Sequence, residues 1–196
     1  AVVLASFVLS LMVFMDVKQG HSQSIHYFNF IHLSLLNIGF DFKIDQLSSL
    51  FLLIITGVGF LIHLYSTAYM HEEESKDFAK YFSYLNLFVF SMLLLVMGGN
   101  FVIMFIGWEG VGLASYLLIG FWYQKPSAYA AAIKAFLVNR VGDLAFVLGI
   151  CAVFVLFDTV AFDAIFADVT KHTESQMVFL GMEGHALTVI ALLLFI

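Results

Sequence analysis

Charge is scarce in this chain: Asp, Glu, Lys and Arg make up 11% of its 196 residues, against about 25% in a soluble domain. The formal net charge is −6 and the isoelectric point near 5.5, so there is no basic patch for nucleic acid. Cysteine occurs once, as Cys151 inside an apolar run. A single thiol makes no internal disulfide and holds neither an iron–sulfur centre nor a structural zinc, which leaves packing as its role. Proline also occurs once, as Pro126, where it is read as ending a helix. No G-x-G-x-x-G follows a strand pattern, since GWEGVG has neither that spacing nor that context, and nothing here should bind NAD. P-loop, nucleophile-elbow, haem-attachment and metalloprotease motifs are absent too. No two histidines fall within spans at matching depth, which discounts haem ligation. No cofactor is therefore expected in this chain, and any redox or hydrolytic chemistry it serves is carried elsewhere.

What is abundant is apolar surface: 62% of residues are hydrophobic and the mean hydropathy is +1.01. The expected class is an all-α, polytopic transmembrane helix bundle of about six spans. Those spans are read at residues 1–15, 46–69, 81–97, 101–122, 128–157 and 186–196, within one membrane domain covering 1–196. The sequence opens inside AVVLASFVLSLMVFM without a Met and closes on ALTVIALLLFI, so the first and last spans are expected to be truncated. The opening run has no basic flank or small-residue cleavage site and is not a signal peptide.

The linker 16–45 carries His21, His26 and His32. Their spacings suit neither a helical ligand pair nor short metal-ligand motifs, so they are assigned to a solvated loop. Residues 37–45, NIGFDFKID, alternate polar and apolar, which marks a short surface β-strand or hairpin between spans one and two. The charge run 71–77 reads as a solvated connection. Gly98-Gly99-Asn100 and residues 123–127 read as tight turns that make spans three, four and five successive neighbours. The acidic linker 158–184 reads as surface-exposed. Loop lysines divide evenly, Lys18, Lys43 and Lys171 against Lys76, Lys80 and Lys125, so orientation does not follow from charge.

Against this apolar background the ionisable residues within spans stand out. Glu109 lies among Gly107, Gly110 and Gly112. A charged group near the bilayer centre costs at least ~2.5 kcal/mol, so it usually faces a bundle interior or watery cavity and marks a functional site. Burial and nearby cations can tune such a carboxyl between charged and neutral, as a proton carrier requires. The competing reading is an interhelical hydrogen-bonding staple beside glycines that permit close packing. Span five adds Lys134, Arg140 and Asp143. Arg140 and Asp143, three residues apart, share a face and can pair, whereas Lys134 points about 180° from Asp143. Counted at ~1.5 Å per residue from one surface, Glu109, Arg140 and Asp143 lie about 18–22 Å deep. By the same count Lys134 and His63 lie about 9–10 Å deep. His63 reads either as an interfacial, hydrogen-bonded histidine or as a relay member, since imidazole titrates near neutral pH. Four charged groups on two adjacent spans favour ion or proton translocation over packing.

FDFKIDQLSSLFLLIITGVGFLIHLYSTAYM, FAKYFSYLNLFVFSMLLLV, GGNFVIMFIGWEGVGLASYLLIGFWY and AAAIKAFLVNRVGDLAFVLGI follow in that order between Phe40 and Ile150. The series resembles the N-terminal half of the antiporter-like subunits called chain 5 or subunit L of respiratory complex I, the proton-pumping NADH:quinone oxidoreductase. It is also similar to the related membrane subunit of Mrp-type cation/proton antiporters. The resemblance implies a helical bundle with inverted repeats and interrupted helices, and a central line of protonatable residues driven by quinone reduction in other subunits. NADH, FMN, iron–sulfur clusters and quinone would sit in those partner subunits, and the chain itself would contact other subunits of the membrane arm and the lipid bilayer. It further implies that Glu109 is the intramembrane glutamate coupled to a neighbouring lysine, expected just beyond Ile196. Arg140 and Asp143 would be the charged pair of the next helix, Lys134 its accompanying lysine, and His63 the histidine of the GVGFLIH block. The 71–77 loop would face the cytoplasm or matrix, in a bacterial cytoplasmic or mitochondrial inner membrane. A chain of this length is not expected to pump alone. The alternatives are a subunit of an Mrp-type antiporter or a structural, non-pumping subunit of the membrane arm.

Overall fold

The computed structural model describes residues 2–33, 36–179 and 181–195. In chain order it contains α1 (Val2–Lys18), an antiparallel hairpin of β1 (Gln23–His32) and β2 (Asn37–Ile44), and then α2 (Gln46–Tyr69), α3 (Ser75–Met97), α4 (Phe101–Ile119) and α5 (Pro126–Phe157). A short α6 (Phe162–Asp168) and a 3-10 turn lead to a second hairpin, β3 (Gln176–Phe179) with β4 (Met182–His185), and to α7 (Ala186–Phe195). The helices α2 to α5 are each long and apolar enough to cross a bilayer. Large apolar side chains such as Phe51, Leu61, Phe90, Val138 and Val155 are exposed along them, as expected where hydrocarbon rather than water is the surrounding solvent.

Local signals explain where these helices begin. Asp45 caps α2 through a reciprocal box: its carboxylate accepts from Ser48 N–H at 2.8 Å, while its own N–H donates to Ser48 Oγ at 2.7 Å. Asn100 caps α4 by accepting from the N–H groups of Val102 and Ile103 at 3.1 and 2.9 Å. Such caps satisfy amides that have no partner inside the helix. Pro126 opens α5, contrary to its reading as a terminator of the preceding span. In the first turn its missing N–H costs nothing and its fixed φ already suits a helix.

Other boundaries also move. Helix α3 starts at Ser75, so part of the charge run is helical rather than loop, and α4 ends at Ile119. His26 and His32 lie on β1, not in a loop, and His26 Nδ1 lies 2.5 Å from Asp41 Oδ1 across the hairpin. The short surface hairpin expected between spans one and two is present: residues 37–44 of the alternating segment form β2, Asp45 caps α2, and the partner strand β1, exposed on both faces, falls in residues read as loop. The surface linker 158–184 contains α6 and most of a hairpin.

The helices pack in sequence, α1 on α2, α2 on α3, α3 on α4, α4 on α5, with α7 against α5. One membrane surface is fastened by backbone: Phe42 bridges Gly98, Asn100 bridges Ala161, and Phe101 N–H donates to Val160 O at 3.1 Å. Asn100, 1% exposed, also donates from its amide to Gly39 O at 2.8 Å. Thus β2, the start of α4 and the segment after α5 are held together, which sets the depth of α4 against α5.

Candidate functional site

Helices α4 and α5 are joined by a short turn and run antiparallel as neighbours. Glu109 is about 15 Å from the α4 end of that turn and Arg140 about 21 Å from the α5 end at 1.5 Å per residue, close enough for long side chains to meet. Arg140 Nη1 is ion-paired with Glu109 Oε2 of the neighbouring helix. The same nitrogen is 3.2 Å from Asp143 Oδ2, one turn along its own helix. Trp108 of α4 donates its indole N–H to Asp143 Oδ1 at 3.0 Å. One guanidinium therefore serves two carboxylates, and a neutral donor holds the second of them.

Aromatic packing fixes the geometry. The rings of Phe105 and Trp108 on α4 both stack on Phe146 of α5, with centroids at 5.6 and 5.8 Å and interplanar angles of 15° and 13°. Phe136 lies under the Arg140 guanidinium at 4.5 Å, a cation–π contact that supports the side chain without neutralising it. On the other side of α4, Gly107 and Gly110 let the helix approach Leu95 and Ser91 of α3 closely. The Asp143 side chain is the most enclosed of the three, 10% exposed against 29% for Glu109 and 41% for Arg140.

The chemistry follows from the residue types. Arginine does not deprotonate in proteins and has no acceptor atom, so it fixes the local charge. Only the two carboxyls can take up and release a proton here. The expected pairing of Arg140 with Asp143 is present. The bridge to Glu109 and the Trp108 donor were not read from the sequence, although Trp108 is next to Glu109 and therefore at its depth. Lys134 is exposed and enters no ion pair among the described residues. His63 is on α2, which packs on α1 and α3. Its Nδ1 lies 2.7 Å from Gly59 O, its ring 5.9 Å from Phe82, and its Nε2 is buried without a partner among the described residues. The five candidate residues thus fall into one cluster of three, with Lys134 and His63 standing apart. No group of three or more His, Cys, Asp or Glu side chains suited to a metal occurs among the described residues.

An ion-pair cluster between adjacent apolar spans defines a polytopic membrane protein with charged groups inside the membrane. Residues 98–195 match the family model of the NADH:quinone oxidoreductase/Mrp antiporter transmembrane region, and residues 30–82 match that of the N-terminus of complex I NADH-ubiquinone oxidoreductase chain 5. The chain belongs to the NADH:quinone oxidoreductase/Mrp antiporter membrane-subunit family. It is 45% identical over 196 residues to NADH-quinone oxidoreductase subunit L of Rhodobacter capsulatus, a match covering 97% of this chain and 27% of that protein. It is 47% identical over 168 residues to NADH-ubiquinone oxidoreductase chain 5 of Marchantia polymorpha, covering 85% and 25%. The match thus spans about a quarter of the length of these curated relatives. The fold is shared with a chain of respiratory complex I from Thermus thermophilus, at a TM-score of 0.70 and 19% identity over 98% of this chain and 37% of that one. It is shared also with the Mrp complex from Dietzia sp. DQ12-45-1b, at 0.69 and 22% over 96% and 20%.

Proposed function

We propose that this chain belongs to a proton-translocating membrane subunit of NADH:quinone oxidoreductase and that Glu109, Arg140 and Asp143 handle protons within it. The carrying observation is the single Arg140 guanidinium shared by two carboxylates from neighbouring spans. Two carboxylates and one permanent cation leave one negative charge without a counter-ion, which one bound proton would balance. Moving Arg140 from one carboxylate toward the other changes which of them is compensated, so a protonation event at one side chain alters the other. Redox chemistry is assigned to partner subunits, as are NADH, FMN, iron–sulfur clusters and quinone. Names of relatives on both the bacterial and the plant side support this reading. Lys134 and His63 are proposed as outer relay members nearer the surface, because they are ionisable and lie in or beside the spans.

The test is Glu109→Gln in the full subunit within its assembled enzyme. Proton translocation per NADH oxidised should fall strongly, because a positioned proton-transfer group is lost. Unchanged pumping with normal assembly would overturn the role. A second reading, membership of an Mrp-type cation/proton antiporter, is favoured by the shared fold with the Mrp complex. In everted vesicles it predicts sodium-dependent proton exchange without NADH.

A further inference from the structure

We infer that Trp108 is a positioning residue for Asp143: a fixed hydrogen-bond donor that keeps this carboxylate satisfied when Arg140 swings toward Glu109. The inference rests on the function proposed above. Both carboxylates contact the same nitrogen, Arg140 Nη1, and the 3.2 Å contact to Asp143 is the looser of the two. A shift of the guanidinium toward Glu109 therefore breaks the Asp143 contact first. Asp143 is also the most enclosed member, and leaving an enclosed carboxylate without a donor is costly. The indole supplies that donor at the other oxygen, Oδ1. It is a donor only and carries no charge, so it holds the carboxylate without itself taking up a proton.

The indole is anchored for this task. It stacks on Phe146, one turn beyond Asp143 on the same helix, so ring and carboxylate keep their relation even if α4 and α5 shift slightly. The titratable groups facing Asp143 are Glu109 from α4 and Arg140 from α5, while α7, which also packs on α5, carries no titratable side chain. Apart from Glu109, whose carboxyl can donate to Asp143 only when it is itself protonated, no other side chain among the described residues donates to Asp143 once Arg140 leaves it. Without the indole N–H, Asp143 should retain Arg140 about tenfold more strongly, a shift at the lower end of what a hydrogen bond to a charged group supplies.

The experiment compares Trp108→Phe, which keeps an aromatic ring on Phe146 and removes the N–H, with Trp108→His, which restores a ring N–H, in the full subunit within its assembled enzyme. Protons moved per NADH oxidised are measured alongside the infrared carboxyl bands that Asp143→Asn assigns to Asp143. Trp108→Phe should lower the proton yield severalfold and move those bands, and Trp108→His should recover part of both. Unmoved bands would overturn the inference, and so would parental pumping by the phenylalanine variant in an enzyme whose pumping Glu109→Gln does reduce. So would failure of both variants to assemble, because Trp108 would then be a packing residue. The infrared arm does not depend on pumping. If Glu109→Gln pumps normally, the translocation reading fails, while a band shift in Trp108→Phe still establishes that the indole positions Asp143.

Discussion

Gly107→Ala should damage this protein more than any other single-methyl addition to α4. A Cβ built on Gly107 lies 2.6 Å from Leu95 Cα and 2.7 Å from Leu95 Cβ, about 1 Å inside the ~3.5–4.0 Å at which carbon atoms rest in contact. The obstacle is largely α3 backbone, so a rotamer change cannot relieve it and the two helices must separate. Overpacking of this kind costs about 1–3 kcal/mol; the better helix propensity of alanine offsets at most ~1 kcal/mol. The net loss should be about 1–2 kcal/mol. Gly112 supplies the control, because its added Cβ would meet only Asn139 Nδ2, at 3.6 Å, an ordinary contact. Gly112→Ala should be neutral or stabilising by up to ~1 kcal/mol. Gly110 should fall between them, since its Cβ would press on the small Ser91 side chain, with Ser91 Cβ at 2.9 Å. Thermal release of the subunit from its assembled membrane complex should rank the variants Gly107, Gly110, Gly112, from most to least damaged. Glu109 lies two residues beyond Gly107, so displacing α4 also loosens its pair with Arg140 and should lower proton yield with the carboxylate intact. A Gly112 variant as damaged as the Gly107 variant, or a Gly107 variant with parental stability, would refute the reasoning.

Asn100→Ala removes two cap bonds to α4 and the bond to Gly39 O together. The lost cap alone costs about 1 kcal/mol, and hydrogen exchange should accelerate at residues 99–104 if that side chain fastens the surface; unchanged protection would show that the backbone bridges suffice. Asp168 sits outside the spans, where a hydrogen bond from Lys171, aided by the charges of Lys171 and His172, holds its carboxyl below the ordinary carboxylate value. A folded-state value that is depressed makes the contribution of this pair present above the ordinary carboxylate pKa and lost as pH falls through the depressed one. Lys171→Ala should return Asp168 to the ordinary range in a carboxyl NMR titration with little change in stability, because the pair is exposed and screened; a titration that does not move would reject the pairing.

How much of this was legible depends on which signals survive in a single sequence. Length and hydropathy locate α2 and α5 to within a few residues, because bilayer thickness imposes the same constraint everywhere. The start of α3 was missed because Lys76, Asp77 and Lys80 look like loop, although a helix can extend into the interface with its polar first turn. Strand β1 was missed for a different reason: a strand exposed on both faces has no alternation to read. Pairing of Arg140 with Asp143 is a consequence of helix periodicity and could be read directly. The reach of Arg140 across to Glu109 and the Trp108 bond depend on the relative rotation and offset of α4 and α5, and those are set by Asn100 at one surface and the short connection at the other.

That offset brings three separate side chains into one ion-paired cluster. Had α4 sat a full turn higher or lower, about 5.4 Å along the axis, Glu109 would leave the reach of Arg140, and Asp143 would form a closed pair with it. A closed, neutral pair inside a membrane can serve as a strut and has no reason to exchange protons. The second carboxylate leaves the cation undecided between two partners, and Trp108 reduces the penalty for releasing one of them. The surface fastening around Asn100 is therefore as much a part of the proposed proton chemistry as the carboxylates, because a slip at that surface would convert the shared cation into a private one. Asn100→Ala and Glu109→Gln should accordingly lower proton yield together with less than additive effect, since each removes the same shared state. Fully additive losses would place the two residues in independent roles.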